Sequence, residues 1–417
     1  MKKWLSVLLS AVLCLGFVFA LPSCNDETDP TAVKTLLGDD FLSTEPYVKW
    51  EGRYDYTSPD GNEPGKINLY HTASGFTVDF TGTELYVEFD SVVKDNSQNR
   101  YPYYNVAVDD EILPTVNPER TFYLSGGRQR IKIVDGLSQG KHTVKCLKMS
   151  EPYDAITSIV MMETDGSFVK RDIAYDNGNF RFMVVCASGG SGHGALAYSN
   201  NTSARVGRTT KNSSSLHAFN YLTARMFGAD VQFVANSGWG VAFGTGQAIS
   251  KVLDYSGITT SNSVSGAKQT ALWDYQKWVP DVILFNIGGN DTTNGGFVQS
   301  TYQTAVVEMV EKLHNLYPNA YMVWTHTNSN AGKYAVASMT DAGILRAGYM
   351  KVAIIPKVGA NYNETPMGVG ANNHNSIKSH IVSADIIAQT LRENWGFTPI
   401  YPNITFEDYE GILQKFN

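Results

Sequence analysis

Cysteines and clusters of positive charge are scarce in this sequence of 417 residues. Of its four cysteines, Cys14 and Cys24 lie near the N-terminus, and no Cys-X-X-Cys pair is present, which excludes a cysteine-built zinc site. Cys146 and Cys186 fall in what we predict to be different domains, so we expect no disulfide between them. The formal net charge is −7 and no stripe of basic residues occurs, which argues against nucleic acid as a partner.

Apolar residues, by contrast, are abundant enough to fill large cores. They make up 43% of the chain, against 18% charged residues, as in ordinary globular proteins. The high numbers of Tyr (23), Phe (19) and Gly (37) favour β-rich structure with many turns. The length allows two or three domains.

The N-terminal residues 1–23 are typical of an export signal. Two lysines precede an uncharged apolar run, whose length suits a signal peptide better than a membrane-spanning helix. The Leu-Pro-Ser-Cys sequence ending at Cys24 resembles a bacterial lipobox, which implies lipidation of this cysteine, and the acidic residues 25–29 resemble the export tag of some surface lipoproteins. We therefore expect a lipoprotein of a bacterial outer membrane, held by an N-terminal lipid anchor. Surface exposure is favoured, with the periplasm as the alternative, and residues 24–44 are predicted to form a polar tether.

Residues 45–167 show the pattern of short β-strands. Segments such as 75–80 and 84–89 alternate apolar and polar side chains, which is the period of a half-buried strand. Turn residues separate these segments and no long helical pattern intervenes. This region is predicted to be an antiparallel β-sandwich of the jelly-roll kind.

Residues 175–417 alternate strand and helix patterns. Segments 180–186 and 281–287 are almost continuously apolar, as buried parallel strands are. Helical spacing of apolar residues follows in segments such as 213–227 and 302–316. The pattern predicts an α/β domain with a mainly parallel sheet.

Four polar loops adjoin these predicted elements. Because functional groups gather beyond the carboxyl ends of parallel strands, we expect the loops to form one site. They comprise residues 186–194, 236–240, 288–291 and 372–375.

A dinucleotide-binding interpretation of the first loop is the weaker alternative. Residues 192–197 fit Gly-x-Gly-x-x-Ala, but position 217, where an acidic ribose partner is needed, holds a histidine. An exported protein also has little access to nicotinamide cofactors.

In this order the four blocks resemble the SGNH (GDSL-type) hydrolases, most closely the two-domain carbohydrate esterase family 2. The family's first block, Gly-Asp-Ser-Ile-Thr-Cys-Gly-Tyr-Gly, aligns without gaps on residues 186–194. Its Ser-Gly-x-Gly and Gly-x-Asn-Asp blocks fall on residues 237–240 and 288–291, and its final histidine on His374. The resemblance covers about residues 47–395. It implies a jelly-roll domain before a flavodoxin-like α/β/α hydrolase domain, an acetylated carbohydrate substrate, and neither metal nor organic cofactor.

The resemblance also implies the roles of individual residues. Ser188 is the expected nucleophile and His374 the base that takes its proton, which a serine hydroxyl requires in order to react. The expected oxyanion donors are the backbone N–H groups of Ser188 and Gly238 and the side-chain amide of Asn290. Asp291 is expected to brace its loop.

Four more residues are candidates for contact with the substrate: Trp239, His193, Asn373 and His326. Trp239 suits either a sugar platform or the core, since tryptophan offers a large, rigid apolar face. His193 is predicted to be a wall of the pocket rather than a base, and His326 a residue at its border.

The sequence departs from the family pattern around both catalytic positions. Cys186 and Ala187 replace Gly-Asp before the nucleophile, and no aspartate lies upstream of His374, where Asn372 and Asn373 stand. An amide or a backbone carbonyl must therefore orient the imidazole. We expect a carbohydrate acetyl esterase that uses a Ser–His dyad. The alternatives are a catalytically weakened carbohydrate-binding surface lipoprotein, and a lipase or peptidoglycan-directed esterase.

Overall fold

The computed structural model describes residues 32–115, 117–172, 179–200, 206–244, 248–401 and 405. The predicted signal peptide and the lipidation site Cys24 lie outside these ranges. Within them, no helix has the length and apolar character needed to cross a membrane.

Two antiparallel six-stranded sheets face each other in the N-terminal domain. Their strands are β1 (Thr35–Leu37), β2 (Val48–Glu51), β3 (Tyr54–Thr57), β4 (Lys66–Leu69), β5 (Gly75–Thr81), β6 (Leu85–Val93), β7 (Tyr103–Val108), β8 (Thr121–Tyr123), β9 (Gly127–Val134), β10 (Lys141–Lys148), β11 (Ala155–Thr164) and β12 (Ser167–Val169). One sheet has the order β3-β4-β11-β6-β9, with β1 beside β11, and the other β12-β5-β10-β7-β8, with β2 beside β5.

The alternation of apolar residues fills the space between these sheets. Phe76 and Phe80 on β5 and Phe89 on β6 point into one core, because every second side chain of a strand faces the same way. The predicted antiparallel sandwich is therefore confirmed, whereas the jelly-roll topology remains a prediction.

The predicted polar tether, residues 24–44, is wrong over residues 35–42. Strand β1 pairs with β11, with Leu36 opposite Met162, and a 3₁₀ helix follows at Gly38–Leu42. Leu36 and Phe41 are buried in the sandwich core. Val33 packs against the same core. These few apolar side chains stand among many polar ones, so the composition of the segment concealed the contact.

A five-stranded parallel sheet forms the second domain. Its strands are β13 (Arg181–Cys186), β14 (Asp230–Ala235), β15 (Val282–Asn286), β16 (Tyr321–His326) and β17 (Met350–Ile354), in the order β14-β13-β15-β16-β17. This 2-1-3-4-5 order is that of flavodoxin-like sheets. A two-stranded hairpin, β18 (Asn361–Tyr362) and β19 (Thr365–Pro366), lies outside the sheet.

Helices cover both faces of this sheet. They are α1 (Phe219–Met226), α2 (Val264–Ala267), α3 (Gly289–Thr292), α4 (Gln299–Leu316), α5 (Asn330–Asp341) and α6 (Ile377–Trp395). Phe182 and Val184 of β13 pack with α1 and α6, whereas Met183 and Val185 pack with α4 and α5. Both faces are buried, which explains the continuous apolar run that marks β13 in the sequence.

The register of the sheet brings the functional loops together. Cys186 at the end of β13 lies opposite Ala235 of β14 and Asn286 of β15. The three strands therefore end at one level. The loop that follows β13 begins where the strand order reverses, which is the usual ligand site in open α/β sheets.

Candidate active site

A tight turn after β13 presents Ser188 at the edge of the sheet. The carbonyl of Ala187 accepts hydrogen bonds from the backbone N–H groups of Gly190 (3.1 Å) and Ser191 (3.0 Å). Gly192 has a φ of 75°, and a Cβ there would lie 1.9 Å from the carbonyl oxygen of Ser214. Only glycine fits this position, so the loop has the shape that its glycines dictate.

His374 lies within hydrogen-bond distance of the predicted nucleophile. Its Nε2 is 2.8 Å from Ser188 Oγ, and its Nδ1 is 3.1 Å from the carbonyl oxygen of Asn372. The carbonyl accepts the Nδ1 proton, which leaves Nε2 free to accept the serine hydroxyl. Burial lowers the pKa of His374, which keeps the ring neutral and able to act as a base near pH 7.

The backbone before His374 explains how its ring is aimed without an aspartate. Asn372 and Asn373 have φ values of 51° and 56°, in the left-handed region that asparagine tolerates better than most residues. Of the two possibilities left open by the sequence, an amide or a backbone carbonyl, the structure shows the carbonyl.

The second and third loops are joined by polar contacts. Asn290 Nδ2 donates to the carbonyl of Trp239 at 2.8 Å, which leaves its other N–H for a ligand. Gly238, beside Trp239, adopts a φ of 81°. The buried carboxylate of Asp291 accepts three backbone N–H bonds at 2.7–2.8 Å, from Val241, Ala242 and Phe243. Asp291 thus holds the segment that follows the second loop, whereas the expectation was that it braces its own loop.

Ser188 opens onto a cavity of about 250 Å³. Predicted site residues Asn290, His326, Asn373 and His374 line it, together with the apolar residues Ile355 and Val358. Among the described residues, no group of three or more His, Cys, Asp or Glu side chains is placed to hold a metal ion.

Trp239 and His193 do not have the positions predicted for substrate contacts. Trp239 is completely buried and its indole N–H donates to Asn262 Oδ1 at 2.6 Å, so it belongs to the core and offers no face to a sugar. His193 is absent from the cavity lining and instead packs against His374, with ring centroids 4.2 Å apart and the rings tilted by 34°.

Glu151 of the sandwich is a buried polar residue at this site that the motifs did not indicate. It lies in the turn between β10 and β11, and its Oε1 accepts hydrogen bonds from the hydroxyls of Ser191 and of Ser237, the latter at 2.9 Å. Arg208 Nη2 lies 3.9 Å from its Oε2 and also pairs with Asp154. Ser191 is 40 residues away in sequence, so no local pattern could reveal the contact.

Known proteins resemble both domains. The carbohydrate esterase 2 N-terminal family matches residues 50–170. The cellulase/esterase CelE of Acetivibrio thermocellus is 23% identical over 376 residues, which cover 84% of this chain and 40% of CelE. An acetylxylan esterase / glucomannan deacetylase of Cellvibrio japonicus is 24% identical over 364 residues, which cover 83% of this chain and 90% of that protein. A family two carbohydrate esterase from Clostridium thermocellum, solved in complex with cellohexaose, has a TM-score of 0.68 at 20% identity, covering 84% of this chain and 99% of the other.

The parallel sheet, the four loops and these matches indicate the class of protein that the chain is similar to: the SGNH-type carboxylic ester hydrolases. More particularly, it is a relative of the family 2 carbohydrate esterases, as the order of its sequence blocks predicts. The chain spans less than half the length of CelE, which is therefore a larger protein.

Proposed function

We propose that this protein removes acetyl or other small acyl groups from polysaccharide or oligosaccharide. The observation that carries the proposal is the 2.8 Å contact between Ser188 Oγ and His374 Nε2, at a cavity that Asn290 also lines. A nucleophile, a base and an amide donor around one cavity suit acyl transfer.

The proposed reaction proceeds through an acyl-enzyme. His374 Nε2 takes the proton from Ser188 Oγ as this oxygen attacks the ester carbonyl carbon. The amide of Asn290 and the backbone N–H groups of Ser188 and Gly238 stabilise the resulting oxyanion. Collapse breaks the bond to the sugar oxygen, which leaves with the proton from His374. A water then gives its proton to His374 and attacks the acyl-serine, releasing acetate and restoring Ser188.

The size and chemistry of the cavity favour a small acyl group on a sugar over a lipid ester. A volume of about 250 Å³ is below the usual range for drug-sized ligands. Amide and imidazole groups of Asn290, Asn373 and His326 lie on its wall, where sugar hydroxyls need partners. One similar protein is named acetylxylan esterase / glucomannan deacetylase, and another was solved in complex with cellohexaose. Both support a carbohydrate as the molecule that carries the acyl group.

The catalytically weakened alternative depends on Cys186 and Ala187, which replace Gly-Asp. Both side chains are buried, and the turn that follows is closed by backbone hydrogen bonds to the Ala187 carbonyl. The shape of the loop therefore does not depend on a carboxylate at position 187. This observation favours the enzyme over a binding protein that has lost activity.

Acetate release tests the proposal. Wild type is incubated with a panel of acetylated polysaccharides and with p-nitrophenyl acetate, beside Ser188→Ala, His374→Ala and the exposed control Ser43→Ala. We expect Ser188→Ala to lower kcat by about 10⁴–10⁶ and Ser43→Ala to leave it unchanged. Folded wild type that releases acetate from p-nitrophenyl acetate but from no polysaccharide contradicts the carbohydrate substrate. No release from either leaves the binding protein as the better account.

We also propose that the mature protein is a lipoprotein anchored through Cys24 to a bacterial outer membrane. The lipobox-like sequence and the acidic residues after it support this. Labelling with radioactive palmitate is expected in wild type and not in Cys24→Ala. Protease added to intact cells then distinguishes surface exposure, in which the protein is cleaved, from a periplasmic location, in which it survives.

A further inference from the structure

Glu151 carries a buried carboxylate into the part of the site behind the catalytic histidine. It is 2% exposed, and its Oε1 takes hydrogen bonds from Ser191 of the nucleophile loop and Ser237 of the second loop. Its Oε2 has no hydrogen-bond partner among the described residues, although Arg208 Nη2 lies 3.9 Å away. A carboxylate at this depth needs a reason beyond packing, because burial of a charge is costly.

A series of hydrogen bonds leads from this carboxylate towards His374. Ser237 donates to Glu151 at 2.9 Å, so its oxygen accepts the Nδ1 proton of His193, also at 2.9 Å. His193 Nε2 is then an acceptor, and Asn372 Nδ2 donates to it at 3.4 Å.

The same series ends at the nucleophile. The carbonyl of Asn372 accepts the Nδ1 proton of His374 at 3.1 Å, and His374 Nε2 accepts the hydroxyl of Ser188 at 2.8 Å. Every donor therefore points from Ser188 towards Glu151. At Asn372 the two bonds involve different groups, the backbone carbonyl and the side-chain amide, so the series consists of two aligned stretches. Within each stretch the hydrogen bonds polarise one another.

We propose that Glu151 is a positioning residue for the reaction, and that its carboxylate acts on His374 through Ser237, His193 and the amide of Asn372. The sandwich domain thereby supplies, from a distance, the negative charge that is missing upstream of His374. The proposal rests on the proposed roles of Ser188 and His374. The family motif has tyrosine at position 193, so this series of contacts is a feature of the present chain.

The chemistry requires no proton to travel along the series. When His374 takes the Ser188 proton it becomes an imidazolium, and the aligned dipoles, with a carboxylate at their far end, stabilise its positive charge. His193 does not compete as a base: burial, and then the adjacent His374, lower its pKa to about 2. It serves as a neutral connector with a fixed tautomer.

The direction of the series depends on the charge of Glu151. The ionisable groups that face it are Arg208, Asp154, the buried thiol of Cys186 and, through Ser237, His193. Burial raises the pKa of Glu151, Asp154 raises it further, and Arg208 with the two serine hydroxyls opposes them. A protonated Glu151 would donate rather than accept, which weakens the alignment as the pH falls.

The test compares Glu151→Gln with Glu163→Gln, a matched change at an exposed carboxylate of the same domain that pairs with Arg130. Two rates are measured: kcat for p-nitrophenyl acetate, and labelling of Ser188 by a fluorophosphonate followed by mass spectrometry. Glu151→Gln is expected to lower both by about 10–100-fold, the range that loss of an outer partner costs at metal-bound histidines. It is also expected to move the acid limb of kcat to lower pH, because His374 loses a distant anion. Glu163→Gln is expected to change neither.

A double mutant separates positioning from general loosening of the fold. Asn372→Gly keeps the carbonyl and tolerates the left-handed backbone, but it removes the amide that bonds His193. If Glu151 acts through this amide, Glu151→Gln costs little more activity in the Asn372→Gly background. The proposal is overturned if the activity losses of Glu151→Gln and Asn372→Gly are fully additive. It is also overturned if folded Glu151→Gln has unchanged rates or an unchanged acid limb of kcat. Wild type that the fluorophosphonate does not label overturns it as well. If only the release of acetate from polysaccharide fails, the proposed substrate is contradicted and the proposed role of Glu151 is unaffected.

Discussion

Two charged side chains of the sandwich are buried against the α/β domain, and they contact different parts of it. Arg53, fully buried, donates to Gln232 Oε1 at 3.1 Å and to the carbonyls of Leu253 (2.5 Å) and Tyr255 (2.8 Å). Glu151 accepts hydrogen bonds from loops that adjoin the nucleophile.

The difference lies in what each partner does. The partners of Arg53 belong to the framework, namely a buried strand and a loop behind it. Those of Glu151 are Ser191 in the loop that bears Ser188, and Ser237, which His193 connects to Asn372 beside His374. With the role proposed for Glu151, one boundary between two domains stabilises the fold at Arg53 and positions the site histidine at Glu151. Equal burial therefore does not mean equal function, and the two residues are expected to separate stability from activity.

The largest effect on kcat is expected at Asn290, a polar group proposed to contact the reacting atoms. It gives the scale against which changes at Arg53 and Glu151 are compared. Asn290→Ala removes the proposed oxyanion donor and is expected to lower kcat by about 10²–10³ with KM little changed. Asn294→Ala is the matched control, since Asn294 also bonds a carbonyl, that of Gly244, at 2.8 Å. Steady-state kinetics on p-nitrophenyl acetate measure both, and equal losses would show that Asn290 acts only by holding its loop.

Arg53→Met is expected to affect stability and not activity. The substitution removes donors from three buried acceptors, and each orphaned acceptor is costly, so the free energy of unfolding should fall by about 3 kcal/mol. Denaturant unfolding measures the change, and kcat is determined where the variant remains folded. Arg128→Met, at an exposed arginine of the same domain, should stay within about 0.5 kcal/mol of wild type. A loss of kcat in folded Arg53→Met would break the proposed division between the two residues.

A third sandwich side chain at this boundary, His71, gives a smaller, pH-dependent effect. Its Nδ1 accepts the N–H of Ala235 at 3.5 Å, and burial, with the charge of Arg53, lowers its pKa to about 3. In the unfolded chain His71 binds a proton near pH 6.5, whereas in the folded protein it stays neutral at that pH. The free energy of unfolding therefore falls as the pH drops from 7 to 5. His71→Gln is expected to recover about 1–2 kcal/mol of that loss.

His142 is the control of opposite sign for this measurement. Hydrogen bonds to the Ser138 carbonyl and Asp109 raise its pKa, so it stabilises the fold below its unfolded pKa, and this stability is lost as the pH rises through the folded one. Unfolding at pH 5, 6 and 7 should therefore give a shallower pH dependence for His71→Gln and a steeper one for His142→Gln. Identical slopes in the two variants would contradict the assignment of either histidine.

The strands and motif loops of this protein are easier to predict from its sequence than the contacts between distant segments. Period-2 alternation identified the sandwich, and apolar runs identified β13 and β15, because each pattern is local. The blocks around Ser188, Asn290 and His374 were recognisable by motif. The sheet register brings the loops that bear Ser188 and Asn290 to one edge.

Contacts between distant segments could not be predicted. The core position of Trp239 depends on Asn262 as partner for its indole, and the carbonyl that orients His374 depends on a left-handed turn. Glu151 gave no signal beyond a polar residue after a strand. In the segment before residue 44, the few apolar side chains stand among too many polar ones to reveal that β1 joins a sheet.

The carbonyl that aims His374 has one more consequence. A carboxylate in that position can be protonated by acid, and it can then rotate or become a hydrogen-bond donor. A peptide oxygen does not titrate in the pH range in which proteins remain folded. The imidazole of His374 should therefore keep its orientation across that pH range. Acid should abolish the proposed activity by changing the charge of the site and not by displacing the base. Reversal of acid inactivation should accordingly be as fast as the pH jump itself, with no slow recovery of conformation.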